Sequence, residues 1–248
     1  METVVGRNGV QAPENNLGVR HVPIWIAQTF GLWRMSPFKY TVLSLTPLVA
    51  EGLLQLVPEA GVLISKIIVP LVGAGILLGV DQLARSGKLS WGCVFAGFTY
   101  RRLGGLFLVS AVTSLTVFAT QIGVASWFYG GARVWDAVVL GHMHQHPALL
   151  TPVFTEALIL PGMLPATLFT LVIPFFLFED LGVLSCFGLG IRRLLSAWLL
   201  FVTFLILNVL IFGVALLGGP SVLLLLVVVP LSTLFTYVVY RAMVGRPL

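Results

Sequence analysis

The sequence predicts an all-α fold: a polytopic membrane bundle of six transmembrane helices with short cytoplasmic interfacial helices. Three observations predict it. The first is composition. Hydrophobic residues make up 58% of the chain and charged residues 9%, against about 25% charged in a soluble domain. So little polar surface cannot cover a water-facing exterior, and lipid must cover most of it. The mean hydropathy of +1.03 agrees. The second observation is a set of six apolar runs of spanning length, and the third is the segregation of cations to one side of them.

Residues 1–23 are polar and carry Glu2, Arg7, Glu14 and Arg20. No apolar stretch follows a basic start, so no cleavable signal peptide is expected. This segment reads as a disordered cytoplasmic tail, and residues 24–248 as a single transmembrane domain. A span needs roughly 20 apolar residues to cross ~30 Å of hydrocarbon. The runs that qualify lie at about 38–57, 61–83, 103–128, 153–178, 194–217 and 220–240. The tight connection VPEAG joins the first two, and LGGPS the last two, with Pro220 suited to a first helical turn.

Arg7, Arg20, Arg34 and Lys39 precede the first run. Arg85, Lys88, Arg101 and Arg102 lie between the second and third, Arg192 and Arg193 between the fourth and fifth, and Arg241 and Arg246 after the sixth. Of the 14 Lys and Arg residues, only Lys66 and Arg133 fall elsewhere. The positive-inside rule makes the basic side cytoplasmic and accounts for the net charge of +5 without nucleic acid. The expected location is the bacterial inner membrane, with both termini cytoplasmic and residues from about 129 to 152 extracytoplasmic.

An ungapped offset of 91 residues pairs Pro70 with Pro161, Gly97 with Gly188, and Arg101 and Arg102 with Arg192 and Arg193. Both copies run in the same direction, which predicts a parallel internal repeat about an axis along the membrane normal. Aromatic residues beside these cations, such as Trp25, Trp33, Trp91 and Phe95, suit interfacial helices on anionic lipid. Arg101, Arg102, Arg192 and Arg193 are accordingly candidate lipid-headgroup contacts. The plainer role of these segments is to anchor the bundle; the sharper one is to dock a protein partner.

Ionisable groups within spans are costly and need a partner or a task. Glu51 and Lys66 fall on either side of the VPEAG turn at matching depths, roughly 7–9 Å below the outer surface at ~1.5 Å per residue. They are expected to face each other. Gln55 shares the Glu51 helix face, and Glu156 and Gln121 are candidates for the same layer. This cluster reads either as an ion pair that fixes packing or as an outward-open ligand cavity. Asn208 is expected to make an interhelical hydrogen bond. Pro161, Pro165 and Pro174 make the fourth run irregular, as either a kinked or a broken helix. Gly75 and Gly79 have the spacing that permits close helix contact. Asp81, Glu179 and Asp180 sit near the arginine pairs and are expected to form salt bridges with them.

His142, His144 and His146 occur within five residues, followed by Pro147. The proline favours an extended segment, which would put all three imidazoles on one face. They read as a solvated loop or as a zinc or copper site, completed by Asp136 or Glu156. No other cofactor is expected. Cys93 and Cys186 read as reduced, packed thiols. No nucleophile motif, phosphate-binding loop or metalloprotease motif occurs, so no catalytic residue is assigned.

The segments "FGLWRMSPFKY" before the first run and "IPFFLFED" through "GLGIRRLLSAW" before the fifth resemble a family of bacterial inner-membrane proteins, the YciC-like group and the membrane domain of some glycerophosphodiester phosphodiesterases. The resemblance implies a six-helix bundle and no established activity. Three functional readings follow. The first is a non-catalytic accessory or interaction subunit of an envelope complex, with lipid and a protein partner or second copy around it. The second is a transporter or binding bundle for a small molecule, ion or lipid, and the third an extracytoplasmic metal binder. For a lipid-modifying enzyme the sequence supplies no nucleophile and base.

Overall fold

A computed structural model of the protein describes residues 21–216, 223 and 225–246. Residues 1–20 of the expected tail, the LGGPS connection and Pro220 lie outside these. Among the described residues every regular element is helical. Four helices among the described residues are long and apolar enough to cross a membrane, or five if one bent pair is counted as a span.

The chain starts with α1 (Val22–Met35), in which Pro23 occupies the first turn, where no backbone donor is needed. Helical structure thus begins within the last residues of the expected tail. Next come α2 (Pro37–Gln55) and, after a turn at 56–60, α3 (Gly61–Ser86). The first expected run coincides with α2, but α2 is not among the four spans. Lys39, Tyr40, Thr41, Ser44, Thr46 and Glu51 dilute its apolar content. Gly87, with φ of 68°, ends α3 in the left-handed conformation that glycine adopts without a Cβ penalty.

The short helix α4 (Cys93–Ala96) folds back onto α3. The Gly75 and Gly79 spacing is used here, against α4 rather than against another span. A Cβ on Gly79 would lie 2.8 Å from Cys93 Sγ, and one on Gly75 would strike the Cys93 carbonyl. In lipid, where apolar burial between helices gains little, such close approach supplies much of the packing energy.

The next span is α5 (Leu103–Tyr129), followed by the short α6 (Gly131–Val134), a π-helical turn at Trp135–Val139 and two 3-10 turns. Helix α7 (Pro152–Leu168) opens with Thr151 Oγ1 accepting the Phe154 N–H at 3.2 Å, a side-chain cap. Its path breaks at 169–171 and resumes as α8 (Val172–Phe178). Pro161 and Pro165 lie inside the unbroken part. The break falls where the Pro174 ring would press on the carbonyl of Thr170 in a continuous helix.

The expected fifth run, from about 194 to 217, falls mostly on the second helix of a bent pair. The amphipathic α9 (Val183–Ser196) meets α10 (Trp198–Leu216) at 96° through Ala197. Cys186, Gly190 and Leu194, four residues apart, form the buried stripe of α9, and Leu184 and Leu195 face outward. The chain closes with α11 (Leu225–Met243).

Helix α3 packs against α2 and α5, α5 against α7, α7 against α10, and α11 against α1 and α2. The inserted α8 reaches α3, α5, α9 and α11. Two apolar clusters result. The larger, at the basic end, centres on Tyr40, Leu83, Leu106, Phe176, Leu194 and Tyr237. The smaller joins Phe118, Ile122 and Ala125 of α5 to Val134, Val139 and Phe154. Outward faces stay apolar, as at Phe107, Leu108, Val112 and Leu115 of α5, which is the surface lipid requires.

Candidate functional site

Between the two clusters lies a partly enclosed cavity of about 810 Å³. Helices α2, α3, α5, α7, α8 and α10 contribute to its wall, and Ala137, Val138, Gly141 and Met143 line it from the histidine-bearing segment. Helix α8 belongs to the larger cluster through Val172, Phe175 and Phe176 and borders the cavity through Ile173 and Pro174. The break at 169–171 is therefore part of the wall, through Phe169, Thr170, Ile173 and Pro174.

One end of the cavity is charged. Lys66 Nζ lies 2.5 Å from Glu51 Oε1, and Gln55 Nε2 donates to the same oxygen at 3.2 Å. The expected pairing across the α2–α3 turn is present. The ammonium also lies 5.5 Å from the Phe118 ring centroid, a second favourable contact for a cation in an apolar wall. Gln121 joins the lining, and its side chain lies directly over Gly162. A Cβ there would be 2.6 Å from Gln121 Cγ, so Gly162 makes the room for Gln121. Glu156 does not join. It is exposed, lies outside the cavity wall and makes no hydrogen bond or ion pair among the described residues. Phe154 and Leu158, on neighbouring turns of α7, take the inward positions.

Deeper in, four polar side chains of the lining are hydrogen-bonded within the fold. Ser65 donates to the Val62 carbonyl at 2.7 Å, Thr113 to Val109 at 2.9 Å and Thr170 to Ala166 at 3.1 Å. Asn208 donates to Thr167 Oγ1 at 3.0 Å, the expected interhelical bond, here between α10 and α7. Thr113 and Ser114 of α5 and Asn208 of α10 also line the cavity, a juxtaposition that only packing reveals.

At the opposite, basic end the two arginine pairs are not equivalent. Arg101 and Arg102 meet Asp180 at 3.0 and 3.3 Å, and Arg102 also stacks 4.6 Å from the Phe176 centroid. Arg192 and Arg193 reach none of the three carboxylates among the described residues. Asp81 instead pairs with Arg85 at 2.7 Å and accepts from Tyr237 at 2.8 Å. Glu179 accepts from Tyr240 at 2.7 Å and meets Arg246 at 3.3 Å. The fixed partners make these carboxylates structural clamps on α11. The tyrosines were missed in sequence because apolar neighbours surround them on α11.

The histidine segment is turned rather than extended, with Gly141 at φ 79° ahead of a 3-10 turn at Met143–Gln145. Asp136 gathers two imidazoles: His142 Nδ1 lies 3.0 Å from Oδ1 and His146 Nε2 lies 2.7 Å from Oδ2. His144 meets the His142 ring edge-on at a centroid distance of 6.4 Å and stays off the carboxylate. The three imidazoles thus do not share one face. Among the described residues no group of three or more His, Cys, Asp or Glu is placed to hold a metal ion. The two contacts to Asp136 latch the segment onto itself, and its Met143 lines the cavity wall.

The hydrogen bonds from His142 and then His146 favour the ionised carboxylate and lower the Asp136 pKa. A depressed folded-state value means the stabilisation is complete above the ordinary carboxylate pKa of about 3.9 and is lost as pH falls through the lower folded value. Hydrogen exchange across 136–150 is therefore expected to quicken only in strongly acidic solution. In the Asp136→Ala variant exchange should already be fast at pH 7, with no further acid step. Equal exchange in variant and wild type at pH 7 would show that the latch does not hold the segment.

Comparison with protein-family models, curated proteins and solved structures finds no match for the chain.

Proposed function

We propose that the protein is a membrane-embedded binding or transport bundle whose cavity takes a small amphiphilic molecule. The observation that carries this reading is the ~810 Å³ cavity with a charged end at Glu51 and Lys66 and an otherwise mainly apolar wall. Ligand sites of this kind bury a few hundred to about 1,000 Å³ and use few polar groups for orientation. The accessory-subunit reading rests on the lack of a catalytic constellation in the sequence, which a binding bundle shares. The cavity is what favours the second reading over the first.

We read α2 as a sixth crossing beside the five apolar ones, with both termini on the cytoplasmic side of a bacterial inner membrane and a parallel repeat underlying α3–α5 and α7–α10. The six-helix expectation from the YciC-like resemblance fits that topology. The cation distribution supports the orientation. A single cysteine replacing His144 in a Cys93→Ala/Cys186→Ala background should react with an impermeant thiol reagent from outside intact cells. Labelling only after lysis would reverse the orientation.

Ala166→Trp tests the cavity directly, because residue 166 lines it from α7. Wild-type protein purified in mild detergent is expected to carry a bound amphiphile detectable by mass spectrometry of an organic extract. The variant should carry several-fold less, with an unchanged thermal midpoint. Equal occupancy in both would remove the reading.

A further inference from the structure

We propose that the cavity's ligand is a zwitterionic amphiphile, with both headgroup charges at Glu51 and Lys66 and one acyl-length tail in the apolar part. This rests on the binding-bundle reading above and adds the chemical class.

The headgroup follows from unused capacity at the pair. An ammonium has three donors and a carboxylate two oxygens. Lys66 spends one donor on Glu51 Oε1, the same oxygen that accepts from Gln55. Glu51 Oε2 accepts nothing among the described residues. Their side chains remain 20% and 29% exposed, so both can be reached. A purely anionic head at Lys66 would also face the Glu51 carboxylate, and a purely cationic head at Glu51 would face the ammonium. A head with both charges matches each side and meets no like charge.

The tail follows from length, volume and polarity. From Lys66 to Leu77, the deepest α3 lining residue, are eleven residues, about 16 Å at ~1.5 Å per residue. That matches the ~15 Å half-thickness of the hydrocarbon core. If each methylene takes about the ~30 Å³ of a water in the liquid, a 16-carbon tail needs roughly 480 Å³. One tail and a head then fit within ~810 Å³. Ser65, Thr113, Thr170 and Asn208 make no demand on the tail, since each is hydrogen-bonded within the fold.

The test compares three fluorescent probes with one identical alkyl tail and a phosphoethanolamine, a phosphoglycerol or a trimethylammonium head. Full-length protein in detergent is titrated with each. The phosphoethanolamine probe is expected to bind about tenfold tighter than the other two, roughly 1.4 kcal/mol. In Glu51→Gln/Lys66→Met the three should bind alike and weakly, and in Ala166→Trp none should bind. Equal or reversed preference in the wild type, with Ala166→Trp still abolishing binding, overturns the headgroup assignment and leaves the cavity reading standing. Unchanged binding in Ala166→Trp overturns both.

Discussion

Replacing Gly97 by valine is expected to be severely destabilising, with the thermal midpoint in detergent falling sharply or no monodisperse protein recovered. Any Cβ at this position runs into the Leu71 carbonyl and comes within 3.2 Å of the Gly75 nitrogen. Both obstacles are α3 backbone, which cannot rotate aside as a side chain can. Overpacking against side chains typically costs about 1–3 kcal/mol, and a rigid obstacle raises that. Gly188→Val is the control, since nothing lies within 4 Å of that position. The two glycines correspond under the 91-residue offset. Their surroundings differ because the four-residue α4 is pressed into α3, whereas Gly188 lies on an open side of the 14-residue α9. Similar melting of the two variants would show that the α3–α4 contact is not a packing constraint.

Lys66→Met is the second substitution with a large expected effect. It leaves Glu51 as an unmatched carboxylate at the cavity's end. Removing one partner of a buried pair costs about 3–5 kcal/mol. Here both side chains are partly exposed, at 20% and 29%, so roughly 1–2 kcal/mol is the appropriate scale. A drop of several degrees in the thermal midpoint is expected. Glu51→Gln/Lys66→Met removes both charges and should recover most of it, because neither desolvated charge remains. The double variant then also serves as a folded protein for the headgroup comparison. A double variant melting below the single one would mean that the pair stabilises the fold beyond its mutual neutralisation.

The reading of individual residues from sequence succeeded where local information was sufficient. The depths of Glu51 and Lys66 follow from counting residues away from one tight turn, so their pairing was legible. Asn208 was legible as an interhelical donor because a polar amide in an apolar run has few other outlets. For Glu156, counting residues sets a position along α7 but not the helix face, and the structure turns it outward, away from the cavity. Within the histidine segment, Pro147 alone favours an extended form. Asp136 decides otherwise, since one carboxylate accepting from two imidazoles bends the chain around itself. The clamps on Asp81 and Glu179 involve Tyr237 and Tyr240, whose partners lie 156 and 61 residues away. No local pattern carries that information.

By itself, the sequence determined the helical, apolar class of the protein and the approximate position of most of its long helices. These depend on composition and on the run length that hydrocarbon demands, both written along the chain. The tertiary structure decided that α9 turns 96° away from α10, that α8 packs into the larger cluster, and that a cavity remains between the two clusters. A cavity is space that side chains from six helices fail to fill, and that failure is a property of their mutual packing that no single helix encodes.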